Sequence, residues 1–176
     1  MPRVHEIQQM VHELDKLART NFAVQEVNQL FKSHPLSVQA YQPYRLFSDH
    51  SYTRNLIHRT PDFELVLLCW NPGQSAPIHG HEGQKCWMQV YEGTLHFENY
   101  MDQSKSSALK LVSEKIGTPG FLDGPAYIHS VTNKSNEPAV SLHLYAHPID
   151  VCDVYDNTYH KCRKNLSYYS REGKIL

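Results

Sequence analysis

From about Ser51 to Tyr145 the chain consists of short runs of β-branched, aromatic and aliphatic residues, each cut off by Gly, Pro, Asn or Asp. Such runs suit a pleated, half-buried surface, and the residues between them supply turn conformations, so the pattern dictates many antiparallel strands. The spacing predicts strands over 53–58, 64–70, 78–81, 86–91, 94–100, 120–122, 127–132 and 139–145. Turns are predicted at Asn71-Pro72-Gly73, Glu92-Gly93, Asp123-Gly124-Pro125 and 133–138, and the polar residues 102–107 read as a hairpin tip. Upstream, Val4, Ile7, Val11, Leu14 and Leu17 recur at helical steps. A second helix carries Val24, Val27, Leu30 and Phe31, with Thr20-Asn21 as its N-cap and Pro35 as its stop. A mainly β sandwich or barrel with N-terminal α-helices packed at one end is the expected architecture.

At 176 residues the chain is long enough for one well-buried core, and one domain over 1–176 is expected. Eighteen acidic residues against 17 basic ones give no global field that would attract nucleic acid, a membrane surface or a polyanion, so the expected partner is a small molecule. Cys69, Cys86, Cys152 and Cys162 lack the close spacing of a zinc ribbon or redox pair, which fits a reduced, cytoplasmic protein. The apolar run at 65–70 is far too short to span a membrane, and MPRVHEIQQM lacks the apolar core of a signal peptide.

Twelve histidines are many for a chain of this size. His79 and His81 stand two apart on a predicted strand, so both imidazoles are expected on one face. They are either a metal-gripping pair or two unrelated histidines. Turns at Gly73 and Gly93 bracket them and favour the first reading. A third ligand must come from elsewhere, and His129, mid-strand behind Asp123-Gly124-Pro125, is the best candidate. In the run 139–145, Val140, Leu142 and Leu144 alternate with Ser141, His143 and Tyr145. The apolar face belongs to a core, while the polar face either meets solvent or lines a barrel interior.

The stretch Gly73-x₅-His79-x-His81-x₄-Cys86-x₆-Gly93 resembles the first cupin motif, with Cys86 where an acidic metal ligand usually stands. His129-x₃-Asn133 behind Gly124-Pro125 is a loose second motif. Together with Tyr52-Thr53-Arg54-Asn55-Leu56, Leu68-Cys69-Trp70 and Ser141-Leu142-His143-Leu144-Tyr145, these motifs resemble the cysteine dioxygenase family in colinear order over about 45–157. The implied organisation is a helical segment over about 1–40, a catalytic cupin barrel over about 45–157 and a C-terminal extension.

That resemblance implies one Fe(II) per chain on His79, His81 and His129, L-cysteine and O₂ as substrates, cysteine sulfinate as product, and a monomeric enzyme without flavin or nicotinamide. Iron rests on the resemblance, because three imidazoles bind copper or zinc as well. Arg54 is the implied carboxylate anchor with Tyr52 beside it, and Tyr145 the active-site tyrosine, with His143 and Ser141 as its hydrogen-bonded support. Cys86 matches a cysteine that forms a thioether with that tyrosine in part of the family. Gly80 replaces an aspartate of the animal enzymes. Ala146-His147-Pro148 replaces a Ser-Pro-Pro run, so a changed backbone is expected after Tyr145. The alternatives are a dioxygenase of 3-mercaptopropionate or a related thiol, against which Arg54 argues, and a non-catalytic metal-binding cupin or zinc isomerase. His5, His12, His34, His50, His58, His96, His147 and His160 read as ordinary surface or packing histidines.

Overall fold

The computed structural model describes residues 3–103 and 108–176, and the side chains from residue 5 onward within the first of these stretches. The helical steps at the N-terminus become α1 (Arg3–Ala18) and α2 (Val24–Ser33). Between them Asn21 and Phe22 turn the backbone at φ 49° and 51°. The expected N-cap at Thr20-Asn21 is therefore displaced: these residues end α1, and Ala23 precedes α2 without a side-chain cap. Thr20 Oγ1 instead donates to Leu17 O at 3.1 Å and to Glu26 Oε2 at 3.0 Å. A single turn, α3 (Val38–Tyr41), and a 3₁₀ turn at Gln42–Tyr44 lead into the β region.

Thirteen strands follow among the described residues: β1 (Thr53–Arg59), β2 (Glu64–Trp70), β3 (Ser75–Gly80), β4 (Lys85–Glu92), β5 (Leu95–Gln103), β6 (Ala108–Gly117), β7 (Leu122–Ala126), β8 (Ile128–Thr132), β9 (Ala139–Ala146), β10 (Val151–Tyr155), β11 (Lys161–Asn165), β12 (Ser170–Arg171) and β13 (Lys174–Ile175). They form two facing sheets, ordered β13-β12-β1-β2-β9-β4-β7 and β11-β10-β3-β8-β5-β6, the jelly-roll arrangement of a cupin. The eight predicted strands are present with shifted ends. The strand predicted over 78–81 begins at Ser75 and stops at Gly80, and the one over 120–122 begins at Leu122 and runs on through Ala126. Asp123-Gly124-Pro125 is consequently not a turn but lies inside β7, paired with β4. Residues 104–107 of the expected hairpin tip lie outside the described residues.

The alternation in β9 resolves into two buried faces. Val140, Leu142 and Leu144 join Leu65, Leu67, Cys69 and Trp87 beneath Met10, Leu14, Val27 and Phe31 of the helices. The opposite face, with Tyr145, meets Val66, Leu68, Trp70, Met88, Phe97 and Val131 between the sheets. The helices therefore shield the outside of the first sheet, which frees its inner face to carry polar side chains inside a closed barrel. Gly73 at φ +81° and Gly93 at φ +69° close the bracketing turns. At Gly93 a Cβ would come within 2.4 Å of Pro138 O.

Candidate active site

Strand β3 pairs with β8 so that His79 lies directly opposite His129, after a bulge between Ala76 and His79. His81 stands one residue beyond the end of β3. His79 and His81 thus meet as their spacing predicts, with His81 standing where β3 gives way to the turn that leads into β4. The three imidazole centroids are 4.6 to 5.0 Å apart, and their ligand nitrogens fall within 4.8 Å of one another. His79 Nδ1 donates to Pro77 O at 2.7 Å and His81 Nδ1 to Ala126 O at 3.2 Å. Those bonds assign the tautomer and leave each Nε2 as a lone pair. His81 Nε2 and His129 Nδ1 are buried without a hydrogen-bond partner. Burial pushes His79 down to about 4, and burial reinforced by the neighbouring imidazoles holds His81 and His129 well below the ordinary histidine value. Three neutral imidazoles with ligand nitrogens within 4.8 Å of one another, two of the rings carrying an orphaned buried nitrogen, are a donor set that fits a divalent metal ion.

Beside this cluster the inner face of the first sheet carries a polar chain. Trp70 Nε1, which can only donate, bonds Ser141 Oγ at 2.9 Å. Ser141 Oγ in turn hydrogen-bonds His143 Nε2 at 2.8 Å. His143 Nδ1 lies 3.5 Å from the Tyr145 hydroxyl. Arg54 Nη1 donates to the same hydroxyl at 3.2 Å. The Tyr145 ring centroid is 5.7 Å from that of His81. Burial, with help from Arg54, pushes His143 down to about 3, so its imidazole is neutral at neutral pH. The Tyr145 hydroxyl is itself held protonated, far above the usual phenol value, by burial.

Arg54 is 7% exposed on β1, and its Nε is buried without a partner. Its charge is secure, raised further by Tyr145 and Glu64 against the opposing effect of burial. Tyr52 stands just before β1, not within it, and stacks on Trp70 at 4.5 Å between centroids. Cys86 is fully buried on β4 and faces Tyr145 across the β4–β9 ladder. Its thiol is raised by burial. Tyr52, Arg54, His79, His129, His143 and Tyr145 line one cavity. Ser141 and His81 adjoin these residues, and the sequence-predicted site thus comes together in one place.

Four contributors were given no role by the sequence. Trp70, present there only in the motif Leu68-Cys69-Trp70, starts the polar chain. Glu64, fully buried at the head of β2, accepts from Arg54 Nη2 at 3.3 Å and Arg59 Nη1 at 3.2 Å. Tyr168 donates to Glu64 Oε2. Cys152 lines the cavity from β10. One signal was available, an acid opening the otherwise apolar run Glu64–Trp70. The peptide between Ala146 and His147 is cis, at the segment where the sequence departs from Ser-Pro-Pro.

A closed jelly-roll barrel with three histidines converging beside a polar cavity defines a metal-binding cupin. Residues 3–158 match the cysteine dioxygenase type I family, and the chain belongs to that family, the thiol dioxygenases among the oxidoreductases. It is 31% identical to cysteine dioxygenase type 1 of Rattus norvegicus over 172 residues, covering 93% of this chain and 84% of the relative. The corresponding protein of Homo sapiens is 30% identical over 171 residues, with the same coverage. In fold the chain resembles the crystal structure of TT1209 from Thermus thermophilus, with a TM-score of 0.51 at 20% identity over 61% of this chain and 94% of that one.

Proposed function

We propose that this chain is a cysteine dioxygenase that adds both atoms of O₂ to the thiol of L-cysteine, giving cysteine sulfinate. The observation that carries this reading is the placement of the buried Arg54 guanidinium and the Tyr145 hydroxyl on the wall of the cavity into which the three neutral imidazoles converge. His79, His81 and His129 would hold Fe(II). When bound, the ion would act as a Lewis acid that lowers the pKa of a substrate thiol and would supply the redox chemistry for O₂. Three uncharged ligands leave its full charge to attract an anionic sulfur.

Arg54 anchors the substrate carboxylate, for which its unpartnered Nε and planar fork are suited. Tyr52, stacked on Trp70, forms the adjacent wall. Trp70, Ser141, His143 and Arg54 hold the Tyr145 hydroxyl at the cavity wall, where its protonated oxygen is placed to hydrogen-bond the reacting groups. Cys86 and Tyr145, already opposed across the ladder, form a thioether by losing two hydrogens to O₂. Thiol oxidation to sulfinate supplies all the electrons that one O₂ accepts, so neither flavin nor nicotinamide takes part.

The four cysteines are free of disulfides, which supports a reducing compartment such as the cytoplasm. Iron-loaded protein given L-cysteine should consume O₂ and form sulfinate in equal amounts. Oxygen uptake without sulfinate, or a higher kcat/KM for 3-mercaptopropionate than for cysteine, would contradict the assignment.

A further inference from the structure

Arg54 reaches the cavity already paired. On the side away from it lies Glu64, whose side chain is 0% exposed and which is absent from the cavity lining. Its Oε1 takes Arg54 Nη2 at 3.3 Å, and its Oε2 is held by Arg59 Nη1 at 3.2 Å and by the Tyr168 hydroxyl. Arg59 is clamped in turn by Asp150, at 2.8 and 2.9 Å, and donates to Tyr168 at 2.6 Å. Two arginines and two carboxylates thus make a neutral group running from the cavity wall to the surface. A buried guanidinium without a counter-ion is strongly disfavoured, and Glu64 removes that penalty while the site is empty. The same carboxylate also lowers the positive potential that Arg54 offers to an incoming anion.

We propose that Glu64 is a positioning residue and internal counter-anion that sets how tightly carboxylate-bearing thiols bind, in exchange for a stable empty site. This rests on Arg54 being the carboxylate anchor. Glu64 lies behind Arg54 and touches no substrate. Its effect is confined to ligands with a carboxylate: a thiol-amine such as cysteamine binds the metal alone and does not sense it. A merely structural glutamate would behave differently, because losing it would loosen the cavity wall and weaken both ligands together.

The test measures anaerobic binding of L-cysteine and of cysteamine to the iron-loaded protein, wild type and Glu64→Gln, by tryptophan fluorescence or calorimetry. Without O₂ there is no turnover, so the result does not depend on catalysis. Glu64→Gln keeps the shape and an acceptor oxygen but removes the charge. It is expected to bind cysteine about fivefold more tightly with cysteamine unchanged, while its thermal midpoint without ligand falls. Weaker binding of both thiols, or unchanged binding of cysteine, overturns the proposal. Should Glu64→Gln not fold, Glu64→Asp, which keeps the charge but draws it back from Arg54, is expected to bind cysteine about twofold more tightly. Unchanged or weaker cysteine binding by Glu64→Asp overturns it equally. Wild-type protein that binds cysteine but forms no sulfinate in air would contradict the proposed function and leave the test of Glu64 standing.

Discussion

Every polar side chain on the inner face of β9 has a hydrogen-bond partner, and those contacts hold Tyr145 at the cavity wall. Trp70 Nε1 can only donate, so Ser141 Oγ accepts from it, and His143 links Ser141 to Tyr145. Arg54→Gln should raise KM for L-cysteine at least about tenfold while leaving cysteamine oxidation within about twofold of wild type, as steady-state O₂ consumption would read. Tyr145→Phe removes the hydroxyl that activates the ring toward sulfur. Intact-mass and peptide analysis should then find Cys86 as a free thiol in the variant, and the joined Cys86 and Tyr145 peptides, lighter by two hydrogens, in the parent. The buried histidines also make stability depend on pH. His143 has a folded value of about 3 against an ordinary value of 6.5, so the unfolded chain binds a proton that the folded one refuses. Its neutral form is fully stabilising above 6.5, and that contribution drains away as pH falls toward about 3, by up to about 1.4 kcal/mol per pH unit. His81 and His129, also lowered, add to the loss in the same direction. Urea unfolding of metal-free protein at pH 7 and pH 5 should show the decline.

At the scale of elements, the site depends on how strand ends are tied. Asn133 is fully buried, and its amide donates to Trp70 O at 3.1 Å and Glu137 O at 2.8 Å. Its side-chain oxygen accepts from Ser135 N and Oγ, and its backbone joins Gly73 and Gln74. One residue thereby fastens the turn after β2 to the turn after β8, at the end of the barrel where Trp70 begins the polar chain. Asn133→Ala leaves several buried carbonyls and amides without partners and should cost about 2–4 kcal/mol in denaturant unfolding. The prediction of His129-x₃-Asn133 as a loose motif thus has a structural content apart from any metal. The strands β6 and β10 to β13 escaped the sequence reading: six of the ten residues of β6 and every residue of β11 are exposed, β10 buries one residue, and β12 and β13 are two residues each. Period-two alternation marks strands with one continuous buried face, and these bury only isolated residues.

For the molecule as a whole, the helices act as a lid on the outside of the first sheet, and Phe31, fully buried there, packs in the same cluster as Leu142 and Leu144. Phe31→Ala should lower stability by about 3–5 kcal/mol without touching a cavity residue, so kcat for the folded fraction should persist. The architecture was legible in sequence because alternation and turn residues act locally. Two histidines separated by a single residue, a third mid-strand, and Ser141, His143 and Tyr145 on one face of a seven-residue run are all consequences of backbone periodicity. Local pattern could not decide whether that polar face met water or a cavity. The answer came from the second sheet and from helices far away in the chain. Nor could it join Arg54 to Tyr145, 91 residues on, or Glu64 to Tyr168, 104 residues on. Sequence by itself determined which side chains share a strand face. Which of those faces closes into a site, and which charges neutralise each other within it, was decided only by tertiary structure, because pairing across the sheets depends on register and burial that no stretch of neighbouring residues contains.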